Sequence, residues 1–163
     1  MATPSVRPFT AFNFSVEIHV PFMGQGALCS ASFAECDGLD MSMEVKTIRE
    51  GGNNSTQIRM VGPMTYGPLS LKRGMTNGFD LWDWFDALQH ANPTQLRNEL
   101  RGDVDVVVFP ADHAKESVRF ILTKCLLTKL KAPALNAKDG LVAIEEMQLT
   151  YESMTLKRPE GGG

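Results

Sequence analysis

Apolar and polar residues alternate without a break from Phe12 to Val20, in the order Phe12-Asn13-Phe14-Ser15-Val16-Glu17-Ile18-His19-Val20. That is the two-residue period of a strand with one buried face, and it puts His19 on the polar side. Pro21 and Gly24-Gln25-Gly26 end the run, and an extended pattern resumes from Leu28 to Cys36, which predicts a hairpin across a loop of several residues. The alternation returns with Met41, Met43 and Val45 on one phase and Ser42, Glu44 and Lys46 on the other. It runs into Arg49-Glu50-Gly51-Gly52-Asn53-Asn54-Ser55, whose glycines and asparagines tolerate positive φ, so the chain is expected to reverse there. Ile58 and Met60, then Leu69 and Leu71, carry it back in extended form, interrupted at Gly62-Pro63 and Gly67-Pro68.

Between Asn77 and Gln89 the period changes to that of a helix. Leu81, Trp82, Phe85 and Leu88 fall on one face, and Asp80, Asp83 and Asp86 sit in the first two turns, where carboxylates complement the positive end of the helix dipole. Asn77 is placed to cap it, with Asp80 three residues on. Trp84 lies off the apolar stripe, so its cover is expected either from another strand of the same domain or from a second subunit. Asn92-Pro93 marks the end of the helix or a break soon after it.

Asp103 to Phe109, Ser117 to Leu127 and Leu141 to Leu156 read as further strands, with turns at Pro110 to Glu116 and Ala132 to Gly140. The count is about seven strands and one substantial helix, a mainly β chain that closes into a barrel or sandwich with the helix flanking an open side. A single domain over residues 1–163 is expected, with an N-terminal arm at 1–10 and a mobile tail at 158–163.

Composition narrows the function more by exclusion than by suggestion. A chain of 163 residues with 43% hydrophobic and 21% charged residues resembles an ordinary globular protein, without a run long enough to span a bilayer. Its first ten residues hold no apolar stretch, so no signal peptide is expected and synthesis in a cytoplasm follows. The formal charge of -3 leaves no basic excess for phosphate, so no specific nucleic-acid binding is expected. Three cysteines, Cys29, Cys36 and Cys125, without CxxC spacing or an export signal, read as reduced thiols, and Asp37 beside Cys36 raises rather than lowers its pKa.

No arrangement with catalytic chemistry emerges. His19, His90 and His113 stand far apart, and Asp80, Asp83 and Asp86 lie on a helix rather than in a cation-binding loop. Glu145 and Glu146 point to opposite faces of a strand and cannot work as an acid and base pair. Gly24-Gln25-Gly26 lacks the third glycine and following helix of a phosphate site, and no GxSxG or P-loop occurs. The expectation is a non-enzyme with no cofactor and no metal.

Four segments in order carry a resemblance: Asp37-Gly38-Leu39, Arg49-Glu50-Gly51-Gly52-Asn53-Asn54, Leu69-Ser70-Leu71-Lys72-Arg73-Gly74 and Leu81-Trp82-Asp83-Trp84. Leu135-Asn136-Ala137, Ile144-Glu145-Glu146-Met147 and Tyr151-Glu152 extend it, so that it spans almost all of Phe12 to Leu156. The chain thereby resembles the tail tube proteins of contractile phages and extracellular contractile injection systems. Pro21 to Leu28, longer than the family's minimal loop, and Pro93 to Gly102 depart from the pattern.

The resemblance implies a barrel of two packed antiparallel sheets with one flanking helix. It also implies homohexameric rings stacked into a tube, inside a sheath protein and above baseplate and spike proteins, with DNA, a tape-measure protein or cargo in the lumen. A tube-initiating baseplate protein of the same fold is the alternative. An isolated two-stranded ribbon is marginal in water, and the flanks Lys46 to Glu50 and Ser55 to Arg59 carry few apolar residues. The hairpin is therefore expected to reach onto an adjacent subunit through Arg49, Glu50, Gly51, Gly52, Asn53, Asn54 and Arg59, with Trp84 a further candidate contact; a solvated local turn is the other reading.

Overall fold

The computed structural model describes residues 13–24, 33–52, 55–75, 78–110, 118–138 and 140–158. In chain order it contains β1 (Phe14–His19), a 3-10 turn (Pro21–Met23), β2 (Glu35–Asp37), β3 (Met41–Ile48), β4 (Ile58–Tyr66) and β5 (Leu69–Gly74). There follow α1 (Asp80–Gln89), α2 (Pro93–Asn98), β6 (Gly102–Val108), β7 (Val118–Lys131), β8 (Ile144–Thr150) and β9 (Ser153–Lys157). The chain is mainly β and all pairings are antiparallel, as the alternation predicts.

Strand β1 has the expected face, with Val16, Ile18 and Val20 buried and His19 exposed. Of the second arm of the expected hairpin, residues 28–32 lie outside the described residues, and its described end, β2, does not pair with β1. Strand β1 pairs with β6, where Val16 opposes Val106 and Ile18 opposes Val104, while β2 pairs with β5 instead. Apolar cross-strand pairs fix that choice, and the residues that supply them lie far along the chain.

The larger sheet runs β1-β6-β7-β8-β5-β2, and β9 also pairs with β7. Residues 119–123 of β7 face β9, and 126–131 face β8. Between these stretches Lys124 takes φ 52, an unusual left-handed conformation for a lysine, and the strand passes from one layer into the other. Inward residues of both layers, among them Ile18, Val104 and Leu122 from one and Leu69, Leu71, Met147 and Leu149 from the other, form a single core cluster. The expected barrel is corrected: among the described residues the pairing path runs from β1 to β2 and does not close. Helix α1 covers part of the core by seating Leu81 and Trp84, both wholly buried.

Other boundaries shift for identifiable reasons. Nine strands are present among the described residues, partly because the expected run from Leu141 to Leu156 divides at Tyr151-Glu152. There the chain leaves the layer of β8 for that of β9. Helix α1 begins at Asp80 with Phe79 at its N-cap, and Asn77 lies outside the described residues. Asn92-Pro93 starts a second helix rather than merely ending the first. The Asn92 side chain accepts from the Gln95 amide at 2.9 Å, and the Asn92 amide donates back to Gln95 Oε1 at 3.2 Å, closing a capping box. Strands β3 and β4 form a separate two-stranded sheet. No helix among the described residues is long and apolar enough to cross a membrane.

Candidate functional site

The β3–β4 ribbon has no buried face. Its register sets Met41 opposite Tyr66, Met43 opposite Met64 and Val45 opposite Val61, so these side chains share one face. Between the last two pairs β4 carries an extra residue, a bulge that keeps Val61 in phase with Met64. Gly62 sits in that bulge, where a Cβ would lie 2.8 Å from the Glu44 carbonyl oxygen. The opposite face carries Ile48 against Ile58, and Met60 beside Lys46.

Apart from half-buried Tyr66, each of these large apolar side chains is exposed, from 44% at Met64 to 73% at Val61. The alternation that elsewhere marks a core strand here marks a face with no cover from the described residues of its own chain. The expectation that the ribbon is weakly apolar is thus corrected, because Ile48, Ile58 and Met60 bring apolar surface close to the turn. Contiguous exposed apolar surface of this kind marks an interaction site.

Its root is held firmly. Tyr151, between β8 and β9, donates its hydroxyl to the Gly38 and Asp40 carbonyls at 3.3 Å each, and its ring lies 5.4 Å from that of Tyr66. Gly38 has φ +98, and a Cβ there would come within 2.0 Å of the Pro68 oxygen. At Gly67, where β4 gives way to β5, a Cβ would meet the Asp40 carboxylate, a side chain that can turn aside.

The predicted contact residues divide. Arg49, Glu50, Gly51 and Gly52 stand exposed at the far end, Gly52 with φ +94, and Arg59 is exposed on β4 opposite Thr47. Asn53 and Asn54 lie outside the described residues. Trp84 does not join them: it is fully buried in its own domain and its indole N–H donates to the Leu100 carbonyl at 2.8 Å. The segment after α2 supplies that hydrogen bond, and the burial of Trp84 is complete within the described residues of its own chain.

Sequence reasoning did not anticipate a buried polar network behind β5. Arg73 Nε donates to Glu145 Oε1, and another guanidinium nitrogen donates to Asp80 Oδ1 and the Gly78 carbonyl at 3.2 Å each. Trp82 completes it by donating to Glu145 Oε2 at 3.0 Å. Three of the segments that carried the family resemblance therefore converge here, and Arg73 and Glu145 are both almost wholly buried. With both carboxylate oxygens of Glu145 engaged, the arrangement clamps α1 to the sheet rather than offering a free acid or base. Glu146 points to the other face, as expected, and accepts from Ser70 at 3.3 Å.

Cys36 and Cys125 are free thiols. Burial, with Asp37 adding to it, pushes Cys36 up to about 11, and burial with Asp103 pushes Cys125 up to about 12. Thiols so raised are poor nucleophiles at neutral pH. Cys29 lies outside the described residues.

Comparison with known proteins accords with this picture. A sequence model of the family described as T4-like virus tail tube protein gp19 matches residues 10–155. No curated protein matches significantly. Among solved structures, a chain of the anti-feeding prophage tube-terminating cap is 18% identical, with a TM-score of 0.79 over 98% of this chain and 97% of its own. A chain of the sheath-tube complex of an extracellular contractile injection system, PVC, in its extended state is 19% identical, with a TM-score of 0.76 over 93% of each chain. One from the anti-feeding prophage baseplate is 22% identical, with a TM-score of 0.76 over 97% of this chain and 98% of its own. These likenesses show a shared fold.

Proposed function

The chain belongs to the T4-like virus tail tube protein family, and from that premise we propose that it is the repeating subunit of the inner tube in a contractile, phage-tail-like particle. Six copies close a ring, and rings stack into a hollow cylinder. The observation that carries this reading is the β3–β4 ribbon, whose apolar side chains are exposed on both faces. Burying each of them fully would contribute about 1.5–3 kcal/mol, and none of the described residues of the chain supplies the cover.

The partners follow from the same premise. The similar structures belong to a tube-terminating cap, a sheath-tube complex and a baseplate averaged with 6-fold symmetry. By likeness, this subunit contacts its own copies first, a sheath protein on its outer wall and baseplate and spike proteins at one end. A tape-measure protein, DNA or cargo occupies the lumen. The role is structural and has no catalytic step.

Electron microscopy of the purified protein tests the reading: rings or hollow rods are expected, and a protein that stays monomeric at high concentration overturns it. Deleting Gly51 to Ser55 probes the ribbon's part in it, with loss of rods expected. Copy number in native particles separates a repeating subunit, present in many copies, from a tube-initiating baseplate protein present in few.

A further inference from the structure

Thioether sulfur is concentrated on the ribbon. The chain has nine methionines, and Met41, Met43, Met60 and Met64 all belong to β3 and β4. Met43 opposes Met64 across the ladder and Met41 lies two residues away on the same face, while Met60 stands opposite Lys46 on the other. Their exposure runs from 44% at Met64 to 56% at Met41. The core treats the same residue type differently: Met147 is 2% exposed, and Met23 and Met154 are half-buried against the core cluster. Outside the ribbon, Met75 alone among the described methionines is comparably open.

A thioether has no proton to lose, so its reaction with an electrophilic oxidant is set by access. The thiols, which would otherwise react first, are closed off: burial holds Cys36 at about 11 and Cys125 at about 12. Among the described residues, the sulfur most open to an oxidant is therefore that of the ribbon. This is also the place where a change of polarity has most effect. Methionine lends the face a shape that adapts to a covering surface, but one added oxygen makes the side chain strongly polar. A sulfoxide oxygen carried into an apolar contact gives up water and finds no donor, which opposes burial.

We propose that Met41, Met43, Met60 and Met64 form a reversible oxidation site that governs whether a subunit can enter the tube. A peroxide is the oxidant: the sulfur lone pair attacks one peroxide oxygen, the O–O bond breaks, and an S–O bond forms. The sulfur is oxidised by two electrons, and the departing hydroxide takes the proton from the transferred oxygen to leave as water. A dithiol reverses the step, becoming a disulfide as the sulfoxide oxygen is lost as water, with one reductase for each sulfoxide epimer. The inference rests on the tube reading above and adds a chemical state that the free subunit passes through. Subunits already in rods are protected, because their ribbons are covered.

Hydrogen peroxide applied to the purified full-length subunit, with peptide mapping by mass spectrometry and rod counts by electron microscopy, tests it. Sulfoxide should appear at the four ribbon positions at least about tenfold faster than at Met147, and rods should fall about tenfold with the urea midpoint of the subunit unchanged. Methionine sulfoxide reductases of both epimer classes with dithiothreitol should restore the rods, and preformed rods should resist oxidation at the ribbon. The variant Met41→Leu, Met43→Leu, Met60→Leu and Met64→Leu should form rods with or without peroxide, while Met75→Leu should remain as sensitive as the parent. Undiminished rods from subunits oxidised at the ribbon overturn the site, as do rods that the reductases fail to restore, a fallen urea midpoint, or a Met75→Leu variant that peroxide no longer affects. Each of these leaves the tube reading standing. If the untreated parent forms no rods, the tube reading fails and the oxidation site with it.

Discussion

Arg73 on β5 and Glu145 on β8 oppose each other directly across neighbouring strands, at 2% and 3% exposure, and hold an ion pair inside the core. A buried pair of this kind contributes less to stability than its Coulomb energy implies, because both charges lose their hydration. Breaking it from one side is another matter. Glu145→Ala removes the carboxylate that pairs with the buried guanidinium and should cost about 3–5 kcal/mol in urea unfolding. The double change Arg73→Met with Glu145→Leu should cost less than that. A single-variant loss under about 1 kcal/mol would contradict the clamp.

Trp84 should matter to folding and not to association. Trp84→Phe removes the hydrogen bond to the Leu100 carbonyl and some packed volume, for an expected loss of about 1–3 kcal/mol in thermal or urea unfolding. At matched folded concentration its rods should equal those of the parent. Impaired assembly with unchanged stability would mean that the indole meets another subunit after all.

The ribbon should behave in the opposite way. Val45→Lys or Val61→Lys changes an exposed position, so unfolding free energy should move by no more than about 0.5 kcal/mol. Micrographs should show the rods gone. Normal rods from either variant would remove the ribbon's apolar face from the assembly account.

Gly38→Ala places a methyl against the Pro68 carbonyl in a backbone conformation that alanine avoids. The left-handed geometry alone costs on the order of 1–3 kcal/mol, and the clash adds to it. Loss of stability together with loss of rods is expected, because this turn carries the ribbon's root. A stability equal to that of the parent would show the turn to be more compliant than its geometry.

For Cys36, raised to about 11 from 9.0, only the thiolate reacts. Alkylation by iodoacetamide at pH 8 should be about 100-fold slower in the folded than in the unfolded chain, as a two-unit shift dictates. The sign for stability follows: the buried neutral thiol contributes fully below pH 9, and that contribution is lost as pH rises through about 11. Equal alkylation rates in both states would refute the burial of this sulfur.

How much could be seen in advance depended on how local each feature is. The faces of β1 and the reversal after Arg49 are written in a few neighbouring residues, and both are found as expected. Partner choice is not local, and so the pairing of β1 with β6 was missed. For Trp84 the helical period left two sources of cover open, because a helix can be covered on a second side by its own domain without leaving a trace in that period. The Met41, Met43, Val45 alternation read like any half-buried strand; a face covered by its own core and one awaiting a neighbour have the same pattern. That Glu145 and Glu146 take opposite faces was legible, but the ion pair was not, since Arg73 lies 72 residues from Glu145 in sequence.

The long strand β7 has a mechanical consequence. Because one unbroken backbone belongs to both layers, force applied to either layer passes to the other along covalent bonds instead of through sliding side chains. A wall built from such units resists shear within each unit, so that any give under load is displaced to the seams between them.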